Sequence, residues 1–244
     1  MRVMEAAPRP SVWARVCVVA GGLVFLVSLL YFAYSYLHRF GQAADPSAPV
    51  APAVAIDLAL FALFAAHHSV FARAGVKGWV NRLVSPAYER SVYVWTSSLL
   101  FLVVCALWQP VPGSLWVAPP GVPPLLSAAQ VVGVILTVRS AGRIDIMELA
   151  GLRQATAPQT PASPPELVRS GPYAFVRHPV YLGWLLLVWP VAEMTGTRLV
   201  LAAASTVYLA LAVRLEERDL GRVFGAEYAA YQRDVRWRMV PWVY

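Results

Sequence analysis

The sequence is short of charge. Asp, Glu, Lys and Arg make up 14% of its 244 residues, where a soluble domain carries roughly 25%. Lysine is almost missing: Lys77 is the single one among 20 basic residues. No dense Lys/Arg run occurs, so the formal charge of +7 is not the footprint of a nucleic-acid binder. Cysteine is scarce as well. Cys17 and Cys105 both lie inside apolar runs, with no C-x-x-C and no Cys/His spacing. That excludes a disulfide framework and a thiolate zinc site, and leaves two buried thiols as the expectation. No G-x-G-x-x-G joins a strand to a helix, which excludes the dinucleotide fingerprint of a doubly wound sheet.

Apolar residues fill the space that charge leaves. They reach 59% of the chain, with a mean hydropathy of +0.57. Six apolar segments can be marked: Val12–Leu37, Val54–Phe71, Tyr93–Trp108, Leu125–Val138, Val180–Val191 and Leu199–Val213. A spanning helix needs about 20 residues. The first two segments reach that length alone. The last two are short and predict a tight helical hairpin around Glu193-Met194-Thr195-Gly196-Thr197, with polar ends extending each arm. The fold class expected is therefore all-α: a polytopic membrane bundle of about five to six transmembrane helices with a C-terminal cytosolic amphipathic helix. The lipid bilayer is its first partner. The run Val16 to Leu37 exceeds the roughly 7–15 residues of a signal-peptide core, so it is expected to stay as a helix.

Arginine placement sets the orientation. With the N-terminus inside and all six segments crossing, 18 of the 20 Lys+Arg fall on inner regions, and only Arg39 and Arg198 fall outside. The positive-inside rule favours this arrangement over its reverse. Both termini and the active site are thus expected at the cytoplasmic face, in a bacterial inner membrane. The outer stretches Gly41–Ala53 and Gln109–Pro124 read as extended connectors. On the inner side, Ala155–Pro165 is Pro-rich and reads as a spacer or a lid. A boundary near 150 separates an N-terminal scaffold (1–150) from a C-terminal catalytic region (151–244).

The chemistry concentrates in Ser170 to Trp184, which reads S-G-P-Y-A-F-V-R-H-P-V-Y-L-G-W. Pro179 disfavours helix at His178 and can itself begin one. A loop therefore feeds a helix N-terminus, whose free N–H groups and partial positive charge suit an anionic group. Arg177 and His178 add to that field, and Tyr173 and Tyr181 can stack on a base or contact a cation. Downstream, Glu216 and Glu217 form an acidic pair just inside the bilayer boundary. Such a pair is costly unless partnered or solvated. An anion-binding helix end plus a carboxylate pair suits a zwitterionic amino-acid ligand. Leu215 to Val235 places Leu215, Leu220, Val223, Phe224, Tyr228, Tyr231 and Val235 near one helical face, which predicts an amphipathic surface helix. Gly225 interrupts it, as close approach of a ligand or a helix would require.

The double motif S-G-P-Y-x-x-V-R-H-P-x-Y-x-G-W and E-E-R-D-L-x-x-x-F-G-x-x-Y-x-x-Y resembles the isoprenylcysteine carboxyl methyltransferase superfamily, which includes phospholipid methyltransferases. The resemblance covers about Leu167 to Pro241. It implies a methyltransferase that binds S-adenosylmethionine without a Rossmann fold. Carried over by position, the cofactor contacts are Leu167, Val168, Tyr173, His178, Pro179, Tyr181, Gly183, Glu216 and Glu217. The catalytic candidates are Arg177, His178, Glu217 and Arg153. Upstream, His67-His68-Ser69-Val70-Phe71-Ala72-Arg73, Glu89-Arg90-Ser91-Val92-Tyr93, Trp108-Gln109-Pro110 and Gly151-Leu152-Arg153-Gln154 look like the methanethiol S-methyltransferase branch, which is related to NnrU-type proteins. The segment Arg139–Gln154 departs from that pattern in having fewer aromatics.

The substrate candidates are His67, His68 and Arg90. Adjacent helical positions point about 100° apart, so the two histidines do not share a metal, and no metal is expected. Interior placement suits one of them to accept a proton. A small thiol must react as its thiolate, which the field of Arg153, Arg177 or Arg90 would favour. The expected acceptor is a small thiol such as methanethiol. A prenylcysteine carboxylate, a phospholipid amine and a non-catalytic NnrU-type role are the rival expectations.

Overall fold

A computed structural model describes residues 12–71, 74–83, 86–143 and 166–244. The elements in chain order are α1 (Val12–Leu37), α2 (Val50–Phe71), α3 (Ala74–Leu83), α4 (Pro86–Leu107), β1 (Ser114–Val117), α5 (Pro123–Arg143), α6 (Pro179–Val188), β2 (Glu193–Thr195), α7 (Gly196–Phe224) and α8 (Ala226–Asp234). Five of the helices are long and apolar enough to cross a membrane: those in Arg15–Gly41, Val50–Phe71, Glu89–Leu107, Pro123–Arg143 and Gly196–Phe224. The protein is an all-α polytopic membrane protein. Many large apolar side chains on these helices face outward, among them Leu23, Leu30, Leu63 and Val131. Lipid rather than water is their natural solvent. Cys105 is buried, but Cys17 is exposed on α1, so the expectation of two buried thiols holds for one of them.

The expected hairpin is lopsided. Its first arm, α6, has 10 residues and is about 15 Å long, half a bilayer core. Its second arm, α7, has 29 residues and runs on through Leu215 to Phe224. Gly225 then stops it at φ 53°, a left-handed conformation that glycine adopts without strain. An added Cβ there would meet nothing within 4 Å. The glycine is therefore needed for its backbone angle, not for a close neighbour. It splits the predicted tail helix in two: α7 stays in line with the membrane span, and α8 folds back so that Tyr228 and Tyr231 pack with Val235, Leu167, Leu220 and Phe224.

The connector after α4 is more than a spacer. Ser114–Val117 pairs antiparallel with Glu193–Thr195, in the register Trp116↔Met194 and Val117↔Glu193. This ribbon ties the α4–α5 connection to the start of α7, where Thr195 caps the helix by accepting the Arg198 N–H at 3.2 Å. The core beneath it joins Phe32, Tyr36, Phe40, Trp108, Val188, Met194 and Leu201.

Both arginines assigned to the outer side close helix C-termini. Arg39 donates to the carbonyls of Cys105 and Ala106 at the end of α4. Arg198 donates to Tyr36 and Leu37 at the end of α1, at 3.1 and 2.9 Å, and to Glu193 at 2.8 Å. Orphan carbonyls and the negative end of a helix dipole are the natural partners of a cation. The two exceptions to positive-inside placement thus have a local structural cause. Arg198 is buried, so Arg198→Met strands several carbonyls at once. We expect it to cost about 3 kcal/mol or more, read as a lower unfolding midpoint in detergent. A midpoint within experimental error of the wild type would contradict this cap.

Candidate functional site

At the end of the bundle away from the ribbon, the loop Gly171–His178 enters α6. It is fixed from outside by the chain's last segment: the Arg177 and His178 N–H groups donate to the carbonyls of Trp237 and Arg238, at 2.9 and 2.8 Å. His178 sits just ahead of the helix with Pro179 as its first residue, as the sequence requires. α6 itself lies hard against α5, the most extensive helix pair among the described residues. Gly183 makes this possible, because a Cβ there would sit 2.7 Å from the Gly133 oxygen and 2.2 Å from Thr137 Oγ1.

Across from the loop, α7 presents Glu216 and Glu217 on adjacent positions with different environments. Glu217 is buried. Its Oε1 accepts the Arg177 Nε–H at 2.7 Å, and its Oε2 accepts Arg238 at 2.9 Å and Gln232 at 3.4 Å. Arg177 in turn donates to the carbonyls of Val235 and Arg236, at 2.6 and 2.8 Å. These groups satisfy one another, and they pin the C-terminal segment to the motif loop. Glu216 is different. Its side chain is 46% exposed, it accepts the Tyr181 hydroxyl at 2.7 Å, and it lies 3.4 Å from His178 Nδ1. It keeps acceptor capacity for a cationic group.

His178 is buried, stacks on Tyr181 with ring centroids 5.4 Å apart, and has no hydrogen-bond partner for Nε2, which lies 3.5 Å from Glu217 Oε1. Burial opposes the charged ring, but the flanking carboxylates of Glu216 and Glu217 outweigh it and hold the pKa above its ordinary value. The linkage has a definite sign. A raised folded-state pKa contributes stability that is fully present below the unfolded value of about 6.5 and is lost as pH rises through the folded value. We therefore expect the stability difference between the wild type and His178→Asn to shrink from pH 6 upward in thermal melts. A difference independent of pH would mean that His178 is not the charged partner of this carboxylate pair.

Tyr173 is buried. Its carbonyl accepts the Tyr231 hydroxyl at 2.7 Å, and its own hydroxyl reaches the Ser140 carbonyl at 3.5 Å. Leu167 packs on the Tyr228–Tyr231 cluster, and Val168 is half-buried beside it in sequence. The structure thus brings Leu167, Tyr173, Arg177, His178, Pro179, Tyr181, Gly183, Glu216 and Glu217 to one end of α5, α6 and α7. Arg153 and the Pro-rich stretch 155–165 lie outside the described residues. His67, His68 and Arg90 form a second group around Tyr93. His68 Nδ1 is 2.9 Å from the Tyr93 hydroxyl, the His67 and Tyr93 rings stack at 6.1 Å, and Arg90 lies over the Tyr93 ring at 5.3 Å. The two groups are linked through α7, which packs against α2 and carries both Tyr208 and Glu216. Tyr208 joins them by its hydrogen bond to Ser69 at 3.0 Å. Sequence reasoning missed Tyr208, Gln232 and Arg238, which carry no local signal, and gave Tyr93 no role of its own. Among the described residues, no group of three or more His, Cys, Asp or Glu side chains is placed to hold a metal.

The family model described as phospholipid methyltransferase matches residues 127–227, which spans α5 through the start of α8. Over nearly the whole chain, the sequence is 37% identical to a methanethiol S-methyltransferase of Bradyrhizobium diazoefficiens, across 230 residues that cover 92% of this chain and 80% of the relative. The chain belongs to the methanethiol S-methyltransferase family. A member from Mycobacterium tuberculosis is 33% identical over 235 residues, covering 92% of this chain and 96% of its own length. Nurim of Sus scrofa is 33% identical over 178 residues, 68% of each chain. No solved structure matches. The protein is accordingly a membrane-embedded methyltransferase, with a methyl donor as its co-substrate. The family match begins at residue 127, inside α5, so it includes the helix that receives Gly183.

Proposed function

We propose that the protein transfers a methyl group from S-adenosylmethionine to a small thiol, with the donor held at the His178–Glu216 end and the acceptor on the His68–Tyr93 side. S-adenosylmethionine supplies a methyl group on a sulfonium centre and carries an amino-acid zwitterion. The residues fit that ligand. The buried His178 ring and the positive end of the α6 dipole suit its carboxylate, and the half-exposed Glu216 suits its ammonium. The single observation that carries the donor half is this adjacent pair, a buried imidazole with an unpartnered Nε2 beside a carboxylate open on one side.

Arg177 and Glu217 act as positioning residues, because their polar atoms are engaged with each other and with the chain's last segment. Tyr181 orients both Glu216, by its hydroxyl, and His178, by its ring. On the acceptor side a thiol must lose its proton before its sulfur becomes a competent nucleophile. His68 takes that proton, held in place by Tyr93, and Arg90 adds positive potential nearby. The surrounding rings of Phe64 and Phe101, 5.2 Å apart, suit a small sulfur compound by sulfur–aromatic contact. Arg153 belongs to this proposal on motif position. The active site then faces the cytoplasm, as the arginine distribution predicts.

Support for a thiol acceptor comes from the methanethiol S-methyltransferases matched over most of the chain. A lipid acceptor is the second reading, favoured by the description of the family model. Purified protein in vesicles, given methyl-labelled S-adenosylmethionine with methanethiol, a farnesylated cysteine or phosphatidylethanolamine, separates them. The proposal expects volatile labelled dimethyl sulfide in the headspace. Label confined to the prenyl compound or to extracted lipid overturns the thiol assignment.

A further inference from the structure

Glu217 also borders a surface that the methyl-transfer site does not use. A cleft of about 310 Å³ opens there, lined by Arg214, Glu217, Arg218, Gln232 and Arg238. It contains none of His178, Tyr181 or Glu216. Three guanidinium groups meet one carboxylate, and that carboxylate is already engaged by Arg177, Arg238 and Gln232. Arg218 has no polar partner among the described residues. Among the same residues, Arg214 has only the Tyr244 hydroxyl, at 3.2 Å. The cleft therefore carries uncompensated positive charge in a shape suited to forked recognition of an oxyanion.

Depth and surroundings identify the occupant. From Gly196 to Val213, Arg198 is the sole charged residue of α7. That stretch is about 27 Å long, close to the roughly 30 Å of a hydrocarbon core. Arg214 then stands at the core boundary, and Arg218, one turn further, at the level of lipid phosphates. Val207, Leu211 and Leu215 continue the same face of α7 into the membrane and are 61%, 58% and 40% exposed. Beside the cleft, the turn Val240–Tyr244 holds out Trp242 and Val243, 84% and 77% exposed, as an interfacial anchor does.

We propose that this cleft binds the phosphate of an anionic phospholipid, whose acyl chains lie along Val207, Leu211 and Leu215. The site is independent of the methyl acceptor. It places a lipid headgroup against Arg238, the residue that also holds Glu217.

Native mass spectrometry of the detergent-purified protein tests it, with phosphatidylglycerol, phosphatidylcholine and inorganic phosphate each added. The wild type is expected to retain phosphatidylglycerol over phosphatidylcholine by about 10- to 30-fold, the effect of two interfacial arginines. Arg214→Gln/Arg218→Gln is expected to lose that preference while melting like the wild type. Arg222→Gln/Arg233→Gln, which removes two exposed arginines outside the cleft, is expected to keep it. Equal loss in both double variants would reduce the effect to general surface charge and overturn the site. Displacement of the lipid by millimolar inorganic phosphate would overturn the lipid assignment, leaving an anion site.

Discussion

Glu217→Ala is expected to abolish methyl transfer and to lower the unfolding midpoint by on the order of 10 °C. Its two oxygens hold Arg177, Arg238 and Gln232, which come from the motif loop and from the far C-terminus. Truncation leaves the buried Arg177 guanidinium with backbone carbonyls but no counter-charge. Removing one partner of a buried pair costs about 3–5 kcal/mol, whereas removing both costs much less. Arg177→Met/Glu217→Met is therefore expected to recover part of the lost stability and none of the activity. Thermal melts of the three proteins in one detergent check this. If Glu217→Ala melts with the wild type, Glu217 does not clamp the C-terminal segment to the motif loop.

Gly183→Ala is the second large effect. The added methyl would sit 2.2 Å from Thr137 Oγ1, 2.7 Å from the Gly133 carbonyl oxygen and 3.1 Å from the Thr137 nitrogen. Real Cβ atoms do not approach backbone so closely, so α6 must shift away from α5. Overpacking of this kind costs about 1–3 kcal/mol. The larger consequence is positional, because α6 carries Pro179 and Tyr181 one turn or less from the clash. Displacement of about 1 Å at a catalytic centre can cost about 100-fold in rate. We expect kcat to fall at least that far, with KM for the thiol little changed. Thr137→Ala cannot rescue it, since the backbone contacts remain. Near wild-type turnover in the single variant would show that α6 tolerates translation along α5.

These effects also mark where the sequence was readable. Hydropathy alone found the long helices, because a bilayer demands apolar runs of a fixed length. It marks α6 only as a short apolar arm, since 10 residues cannot span by themselves, and it does not reveal that the position of α6 is set by the Gly133–Gly183 approach, a tertiary fact. The ribbon between Ser114–Val117 and Glu193–Thr195 was likewise hidden, because strands so short carry no periodicity. At the site, the motif residues were legible as a set. The unequal environments of Glu216 and Glu217 were not, since they depend on Arg238 and Gln232, which lie 15 or more positions downstream. Gly225 is legible as an interruption, but its positive φ, set by the backbone and not by a close neighbour, is visible only in three dimensions.

The most direct test of the account is equilibrium binding of labelled S-adenosylmethionine to purified wild type and Glu216→Gln. Glu216 is half-exposed, and its one short hydrogen bond, to Tyr181, survives in the amide, so the variant is expected to melt like the wild type. Loss of the carboxylate should weaken donor binding by about 30-fold or more. Unchanged affinity in a normally folded variant would place the donor elsewhere and contradict the site proposed for it.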